Sequence, residues 1–141
     1  MAVTRVNGFE LVNRQLDRMG RPMIKQIVEA GSAAAEKRMA TQTENVGHGS
    51  PGRSRRATGE MLASIGRNEY REWLGGGAQD VYPQGEDHKG VRNATKAYVL
   101  NYGRGRRLRG DKFITGDAQA EEIITQAMQR ESDRLVEELN G

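Results

Sequence analysis

Four arginines interspersed with glycines are the residues of this chain best suited to bind an anionic partner. They lie between Gly103 and Gly110 and are Arg104, Arg106, Arg107 and Arg109. A guanidinium group binds a carboxylate or a phosphate through two parallel hydrogen bonds. Because four such groups cannot be buried without partners, the sequence predicts an exposed basic loop that docks on acidic groups.

A second basic cluster, formed by Arg53, Arg55 and Arg56, lies in the aperiodic segment 43–58, which is predicted to be a loop. These arginines are either a solvated charge run or a second part of the same basic surface. The segment also contains a literal G-x-G-x-x-G at residues 47–52. No predicted strand precedes it and no helix pattern follows it directly, so we reject a dinucleotide site.

The usual catalytic and metal-binding groups are sparse. The two histidines, His48 and His88, lie in predicted loops without ligands at metal spacing, and there is no cysteine. Glu86 and Asp87 beside His88 could form an acid–base cluster, but charged loop residues are usually just solvated. No G-x-S-x-G motif marks a nucleophile. We therefore expect no enzymatic activity, no metal and no cofactor.

The basic loop needs fixed ends. Upstream, apolar and aromatic residues alternate from 97 to 102, which favours a half-buried strand that breaks at Gly103. Tyr98 and Tyr102 are its predicted anchors. Downstream, Phe113 and Ile114 are expected to return to the core.

Helical patterns flank this region. They predict helices over residues 8–19 and 21–42, and a helix of about six turns with Asp117 as its N-cap. The buried face of the second helix is predicted to be Met23, Ile27, Ala30, Ala34 and Met39, and that of the last helix to include Ala120, Ile123, Ile124, Ala127, Leu135 and Leu139. The small residues Ala33–Ala35 favour close packing against a sheet or a helix contact between subunits.

Short strands are predicted over residues 64–68, 70–74 and 78–82, with a hairpin at Gly75–Gly77 and an end at Pro83. A short turn capped by Thr58 precedes them, with Leu62 and Ile65 among its apolar residues. The predicted fold is α+β, in one domain spanning 1–141. It is a small antiparallel sheet of three to four strands packed against a long N-terminal helix and a long C-terminal helix, with extended flexible loops.

Charge is unevenly distributed along the chain. Residues 50–112 carry 13 Lys or Arg against 7 Asp or Glu, whereas residues 113–141 carry 2 against 7. Opposite faces of this kind suit contacts between copies or with other subunits. The apolar fraction is 35% with 18 glycines, which predicts a thin core supported by neighbouring molecules. No apolar run has the length of a signal peptide or a membrane span, so we expect a soluble protein made in the cytoplasm.

The order of several motifs resembles the neck, or head–tail joining and tail-completion, proteins of tailed double-stranded DNA bacteriophages. They are G-F-E-L-V-N-R-Q-L, T-G-E-M-L-A-S-I, A-Y-V-L-N-Y-G-R-G-R-R and K-F-I-T-G-D-A. In the family block T-G-x-L-x-x-S-I, Thr58, Gly59, Ser64 and Ile65 match directly, while the leucine, Leu62, stands one position later than in the block. Tyr98, Tyr102 and Gly103 fit the family's next motif loosely, Asn101 stands where an acidic residue is usual, and Lys112 replaces the proline before Phe113.

The resemblance implies a non-enzymatic structural subunit of the virion neck, made in the host bacterial cytoplasm. Such subunits form a homo-oligomeric ring, often six-fold, between the head connector or stopper proteins and the tail terminator or tail tube proteins. Any contact with packaged DNA is expected to be to the phosphate backbone and without sequence preference. The alternative is a small DNA- or RNA-binding protein that uses the two arginine clusters. No membrane partner is expected.

Overall fold

A computed structural model describes residues 4–7, 20–45, 59–73, 76–104, 108–109 and 112–140. In chain order the elements are β1 (Thr4–Asn7), α1 (Arg21–Asn45), α2 (Glu60–Ala63), β2 (Ile65–Arg67), β3 (Arg71–Trp73), β4 (Gly76–Pro83), α3 (Asn93–Tyr102), β5 (Gly103–Arg104), β6 (Leu108–Arg109) and α4 (Ala120–Asn140). The α+β prediction is confirmed. The helix predicted over residues 8–19 lies outside the described residues.

Strand β4 is the centre of an antiparallel sheet. On one side it pairs with β1, with Thr4 opposite Val81. On the other side it pairs with β2 through Pro83 and with β3 through Gly76 and Gly77. β2 and β3 thus lie one after the other along the same side of β4. Between them, Asn68 donates its N–H to the Asp80 carbonyl and accepts from the Asp80 N–H through its Oδ1 atom. The three predicted strands and the end at Pro83 are confirmed.

The β3–β4 hairpin depends on close backbone packing at Gly77. This glycine pairs within β4 instead of forming the tip of the turn, and a Cβ atom placed on it would overlap the phenol group of Tyr70. The Tyr70 hydroxyl is buried, and burial raises its pKa. A residue with a Cβ atom at position 77 would force the end of the Tyr70 side chain to move, so glycine allows this close packing of the ring on the strand backbone.

Helix α1 has the predicted start and extends three residues beyond the predicted end. Its buried face differs from the prediction: Ala30 and Ala34 are only half-buried, and Ala33 is exposed. The buried residues are Ile24, Ile27, Val28, Gly31, Ser32, Ala35, Met39 and Thr43. Gly31, Ser32 and Ala35 are small, which lets neighbouring elements approach closely. The small-residue patch therefore packs within the chain.

Helices α1 and α4 form the main core together with β4. Ile27 and Val28 of α1, Val81 of β4, and Met128 and Leu135 of α4 belong to one buried cluster. Arg38, in the second half of α1, pairs with Asp117, which lies just before α4. The end of α1 therefore lies beside the start of α4, and the two helices run antiparallel. Leu139, predicted on the buried face, is 50% exposed. The packed length of α4 ends one turn earlier than its sequence pattern indicates.

A second, smaller cluster positions the basic segment. Met61 of α2, Ala97 of α3 and Phe113 are buried together, with Leu100 and Ile114 packed against them. The predicted return of Phe113 and Ile114 to the core is confirmed. In α2, the anchor is Met61, which is 5% exposed, instead of the half-buried Leu62. The helix begins after Gly59, whose φ of 82° is left-handed, while Thr58 lies outside the described residues.

The strand predicted over residues 97–102 is wrong, because this segment belongs to helix α3. Its buried residues are Asn93, Ala94, Ala97 and Asn101, spaced one to four residues apart along one helical face. Over only six residues, alternation at period two also fits part of a helical period, so a short apolar run is ambiguous. Alanine, lysine and leucine within the segment favour a helix, and packing against Met61 and Phe113 decides the outcome.

Candidate partner-binding surface

Helix α3 ends where the sequence predicts a break. Gly103 is its C-cap and adopts φ 86°, in the left-handed region that residues with a Cβ rarely adopt. The chain then turns into the short strand β5. The direction in which the basic segment leaves the helix is therefore set by this glycine.

The basic segment contains a two-stranded ladder. β5 and β6 pair antiparallel, with Gly103 opposite Arg109 and Arg104 opposite Leu108. We call the ladder formed by residues 103–104 and 108–109 the arginine hairpin. The ladder brings Arg104 and Arg109 to neighbouring positions at its base. Arg106 and Arg107 lie between the strands in sequence, outside the described residues, as do Arg53, Arg55 and Arg56. Of the two basic clusters predicted from sequence, the structure thus describes only the backbone of Arg104 and Arg109.

Asn101 ties the two ends of this segment together. Its side chain is completely buried, and its Oδ1 atom accepts hydrogen bonds from the backbone N–H groups of Ile114 and Thr115 at 3.0 and 3.1 Å. Its Nδ2 atom donates to the Thr115 hydroxyl at 3.0 Å, and its carbonyl accepts from the N–H of Lys112 at 2.9 Å. A single side chain thus clamps the end of α3 to the chain beyond the hairpin.

Tyr98 and Tyr102, predicted as core anchors, do not fill that role. Their side chains are exposed, Tyr98 at 44% and Tyr102 at 49%, and their rings lie with centroids 4.8 Å apart. A helix places residues four apart on the same face, so the correct helical assignment explains both the exposure and the contact. We call these two residues the tyrosine pair. It is an amphipathic surface next to the arginine hairpin, and tyrosine and arginine are enriched in protein interfaces.

Of the other predicted anchors, Phe113 is buried, and Gly59 and Gly103 adopt positive φ angles. Ile65 is half-buried and packs against the main core. Leu62 is half-buried beside the buried Met61. The buried Asn101 is the site residue that sequence reasoning missed. Its signal was a polar residue within an apolar run, where an unpaired amide would be costly to bury.

Residues 84–92 form a compact loop beneath α3. Asp87 Oδ1 accepts from the backbone N–H groups of Lys89 and Val91 at 2.8 and 2.9 Å, while Oδ2 pairs with Lys96 of α3 at 2.7 Å. His88 Nδ1 lies 2.7 Å from a carboxylate oxygen of Glu60. These charges form structural pairs. Among the described residues, no group of three or more His, Asp or Glu side chains could hold a metal.

The contribution of this loop to protein stability depends on the ionisation of Asp87. The Lys96 hydrogen bond, followed by those from the backbone, lowers its pKa from 3.8 to about 2. Because the pKa of Asp87 is lower in the folded protein than in the unfolded chain, the ionised side chain stabilises the fold at pH values above its ordinary pKa. That contribution is lost as the pH falls through about 2. We expect Asp87→Asn to lower stability at neutral pH, and the difference from wild type to shrink between pH 4 and pH 2 in urea unfolding curves.

The control for Asp87 is Glu86→Gln, because Glu86 is the adjacent carboxylate and its side chain is exposed. This variant should follow the wild-type pH profile. An equal loss in both variants, or a difference for Asp87→Asn that persists unchanged at pH 2, would contradict the proposed role of Asp87.

A partly buried ion pair fixes the start of α4 against α1. Arg38 Nε donates to Asp117 Oδ2 at 2.7 Å and Nη2 donates to Oδ1 at 3.0 Å. The Asp117 side chain is 5% exposed, and hydrogen bonding from Arg38 holds its pKa below the ordinary value. Asp117 also accepts from the N–H of Gln119 at 3.2 Å. It therefore caps the turn before α4, whose first helical residue is Ala120.

The outer surface of α4 is acidic. Glu121 and Glu122 occupy its first turn, as predicted, where the positive end of the helix dipole favours them. Glu137 and Glu138 occupy its last turn, which carries no basic residue. Residues 137–140 are exposed. The acidic sequence of residues 113–141 thus appears as solvent-facing carboxylates at both ends of α4.

Comparison with protein-family models, curated proteins and solved structures finds no match to this chain. The resemblance to phage neck proteins therefore rests on its short motifs. Among the described residues, no helix is both long enough and apolar enough to cross a membrane.

Proposed function

We propose that this protein is a structural subunit of the neck of a tailed bacteriophage, where copies form a ring between the head connector and the tail and surround the DNA channel. The observation that carries the proposal is the arginine hairpin beside the exposed tyrosine pair. The hairpin is held at both ends by Asn101, which is 0% exposed, and the tyrosines are 44% and 49% exposed. This arrangement gives the arginine-rich segment two fixed ends beside a pair of exposed aromatic rings.

A docking role explains why the clamp and the surface lie together. Arginine binds carboxylates in a bidentate geometry, and a rigid base lowers the entropy lost on association. The acidic exposed surface of α4 provides complementary charge on another copy or on a similar neighbour. The motif order adds independent support, because it resembles that of neck and tail-completion proteins over most of the chain.

The test locates the protein and then removes the arginines. Electron microscopy of virions carrying a labelled copy should show rings of it between head and tail. Changing Arg104, Arg106, Arg107 and Arg109 together to alanine should leave the thermal melt of the monomer nearly unchanged and block the joining of heads to tails. The matched variant with four lysines keeps the charge but loses bidentate geometry, so it should join heads to tails with reduced yield.

Three results would contradict the proposal. The first is absence of the protein from assembled particles. The second is failure of the four-alanine variant to fold, which would make the arginines structural. The third is tight DNA binding with a steep dependence on salt near physiological ionic strength. That behaviour would favour the alternative of a small nucleic-acid-binding protein.

A further inference from the structure

We infer that Lys112 is a partner-binding residue, which together with the tyrosine pair binds a carboxylate on a neighbouring protein subunit of the neck. This binding role rests on the proposed function, because it adds a residue of described position to the docking surface. It follows from the backbone conformation of Lys112, from the exposure of its side chain and from its hydrogen bond to the end of α3.

Lys112 has a backbone conformation that residues with a Cβ atom rarely adopt. Its φ is 52°, and among the described residues it is the one residue other than glycine with a positive φ. This left-handed region carries a steric cost for every residue except glycine. Strain of this kind is concentrated at binding and catalytic sites. Glycine would therefore suit the backbone at position 112 better than lysine does.

The surrounding chain holds Lys112 in this conformation from both sides. Its N–H donates to the Asn101 carbonyl at 2.9 Å, and its own carbonyl accepts from the N–H of Gly116 at 2.7 Å. A Cβ atom placed on Gly116 would lie 2.6 Å from that carbonyl oxygen, so the turn closes too tightly for a larger residue there. The backbone of Lys112 thus has a fixed position between the end of α3 and residue 116.

The side chain of Lys112 makes no charged contact that would offset this strain within the described part of the chain. Lys112 is exposed, and among the described residues its ammonium group has no carboxylate partner. Exposed cations elsewhere do have partners, since Arg67 pairs with Glu36 and Arg71 pairs with Asp80. A strained and exposed lysine without such a partner indicates that its charge acts on another molecule.

The backbone of Lys112 lies beside the end of α3 that carries the tyrosine pair. Its N–H is bonded to the carbonyl of Asn101, the residue before Tyr102, and both tyrosine side chains are exposed. An ammonium group and two phenol hydroxyls are hydrogen-bond donors, which together suit a carboxylate. Aromatic surface with a charge beside it is typical of protein interfaces. The exposed carboxylates of α4 show that copies of this chain present such groups to their neighbours.

Two substitutions separate the strain at Lys112 from its charge. Lys112→Gly removes both, and the melting temperature of the purified protein should rise by about 3 °C, because relief of the strain outweighs the added flexibility of the unfolded chain. Lys112→Gln removes only the charge, so its melting temperature should stay within about 1 °C of wild type. In particles assembled with either variant, the yield of joined heads and tails should fall about fivefold or more.

A conservative variant and a matched control complete the test. Lys112→Arg keeps a positive charge and should recover most of the yield that Lys112→Gln loses. Lys37→Gln removes an exposed lysine from helix α1, where the backbone is unstrained, and should change neither melting temperature nor yield. The binding role is overturned by a wild-type yield in Lys112→Gln or by an equal loss in Lys37→Gln. It is also overturned if Lys112→Gly is no more stable than wild type, since lysine would then carry no strain.

The variant with all four arginines changed to alanine separates this role from the proposed function. Loss of joining in that variant, with full joining in Lys112→Gln, overturns the role of Lys112 and leaves the neck function standing. Full joining in both variants overturns both proposals. Fluorescence anisotropy with duplex DNA, measured against salt concentration, identifies the anion. If Lys112→Gln weakens DNA binding as strongly as it weakens joining, the anion is a phosphate and the carboxylate partner is overturned.

Discussion

Replacing Asn101 with alanine is expected to lower the free energy of unfolding by about 3 kcal/mol, because it removes the three hydrogen bonds of a completely buried side chain, each of which contributes about 1 kcal/mol. The backbone N–H groups of Ile114 and Thr115 both donate to the same Oδ1 atom. Chemical denaturation followed by circular dichroism would measure the loss. The effect should exceed that of an ordinary surface change, since Asn101 is completely buried.

The control variant Asn101→Asp retains an oxygen in the position of Oδ1. It can still accept from both N–H groups, and the Thr115 hydroxyl can donate to its second oxygen. We therefore expect it to be clearly more stable than Asn101→Ala, despite the cost of burying a charge. This expectation also agrees with the acidic residue that is usual at this position in the family it resembles. Equal destabilisation by both variants would show that the accepted hydrogen bonds are not what Asn101 contributes.

Replacing Arg38 with alanine is the second change with a large expected effect, a loss of about 2 kcal/mol in unfolding free energy, because hydrogen bonds to charged groups contribute about 1.5–3 kcal/mol. The substitution removes both hydrogen bonds to Asp117 and leaves a carboxylate that is 5% exposed without its cation. The pKa of Asp117 is lowered in the folded protein, so the pair stabilises at neutral pH. The contribution of the pair is lost as the pH falls through the lowered pKa of Asp117 in the folded protein. The difference in unfolding free energy between wild type and Arg38→Ala should narrow in that pH range.

Arg134→Ala is the matched control for this pair. Arg134 also contacts two carboxylates, those of Glu131 and Glu138, but its side chain is 50% exposed and both partners lie on the same helix. Exposed pairs of this kind contribute at most about 1 kcal/mol. Urea unfolding of both variants at neutral pH would compare them. Similar small losses would mean that the Arg38–Asp117 pair does not hold α4 against α1.

The long elements could be predicted from sequence because their patterns repeat over many residues. Helix α4 shows apolar residues at helical spacing over five turns, and α1 begins at Arg21 just after the Gly20 and Pro22 signals. The β3–β4 hairpin follows from a glycine run between β-forming segments. In these regions local preference and tertiary packing favour the same structure, so the two sources of information agree.

Helix α3 could not be predicted in the same way because its apolar run is short. Six residues contain too few periods to separate a strand from a helix. Packing of Ala97 against Met61 and Phe113, together with burial of Asn101, selects the helix. The error carried over to Tyr98 and Tyr102, which share one face in a strand as well as in a helix and were therefore predicted to be anchors. In the helix, Ala97 and Asn101 lie on the buried face, which leaves both tyrosines exposed.

The Arg38–Asp117 contact lay beyond sequence reasoning for a different reason. The two residues are 79 positions apart, and many other charges could have formed the pair. Asp117 carried a recognisable signal as a cap, which the structure places one turn before α4. Its partner depends on the antiparallel packing of α1 and α4, a property of the whole fold.

Because Asn101 fixes both ends of the segment that contains the arginine hairpin, the length and sequence of this segment can change independently of the rest of the fold. Because α3 and the Ile114–Thr115 segment are bonded directly to each other, the chain between them closes a loop whose ends are already fixed. Doubling the length of such a loop costs only about 0.6 kcal/mol. Insertions or deletions there can change the reach and charge of the hairpin while α3 and α4 keep their packing. Changes in the length and charge of this segment are therefore expected to cost little folding free energy.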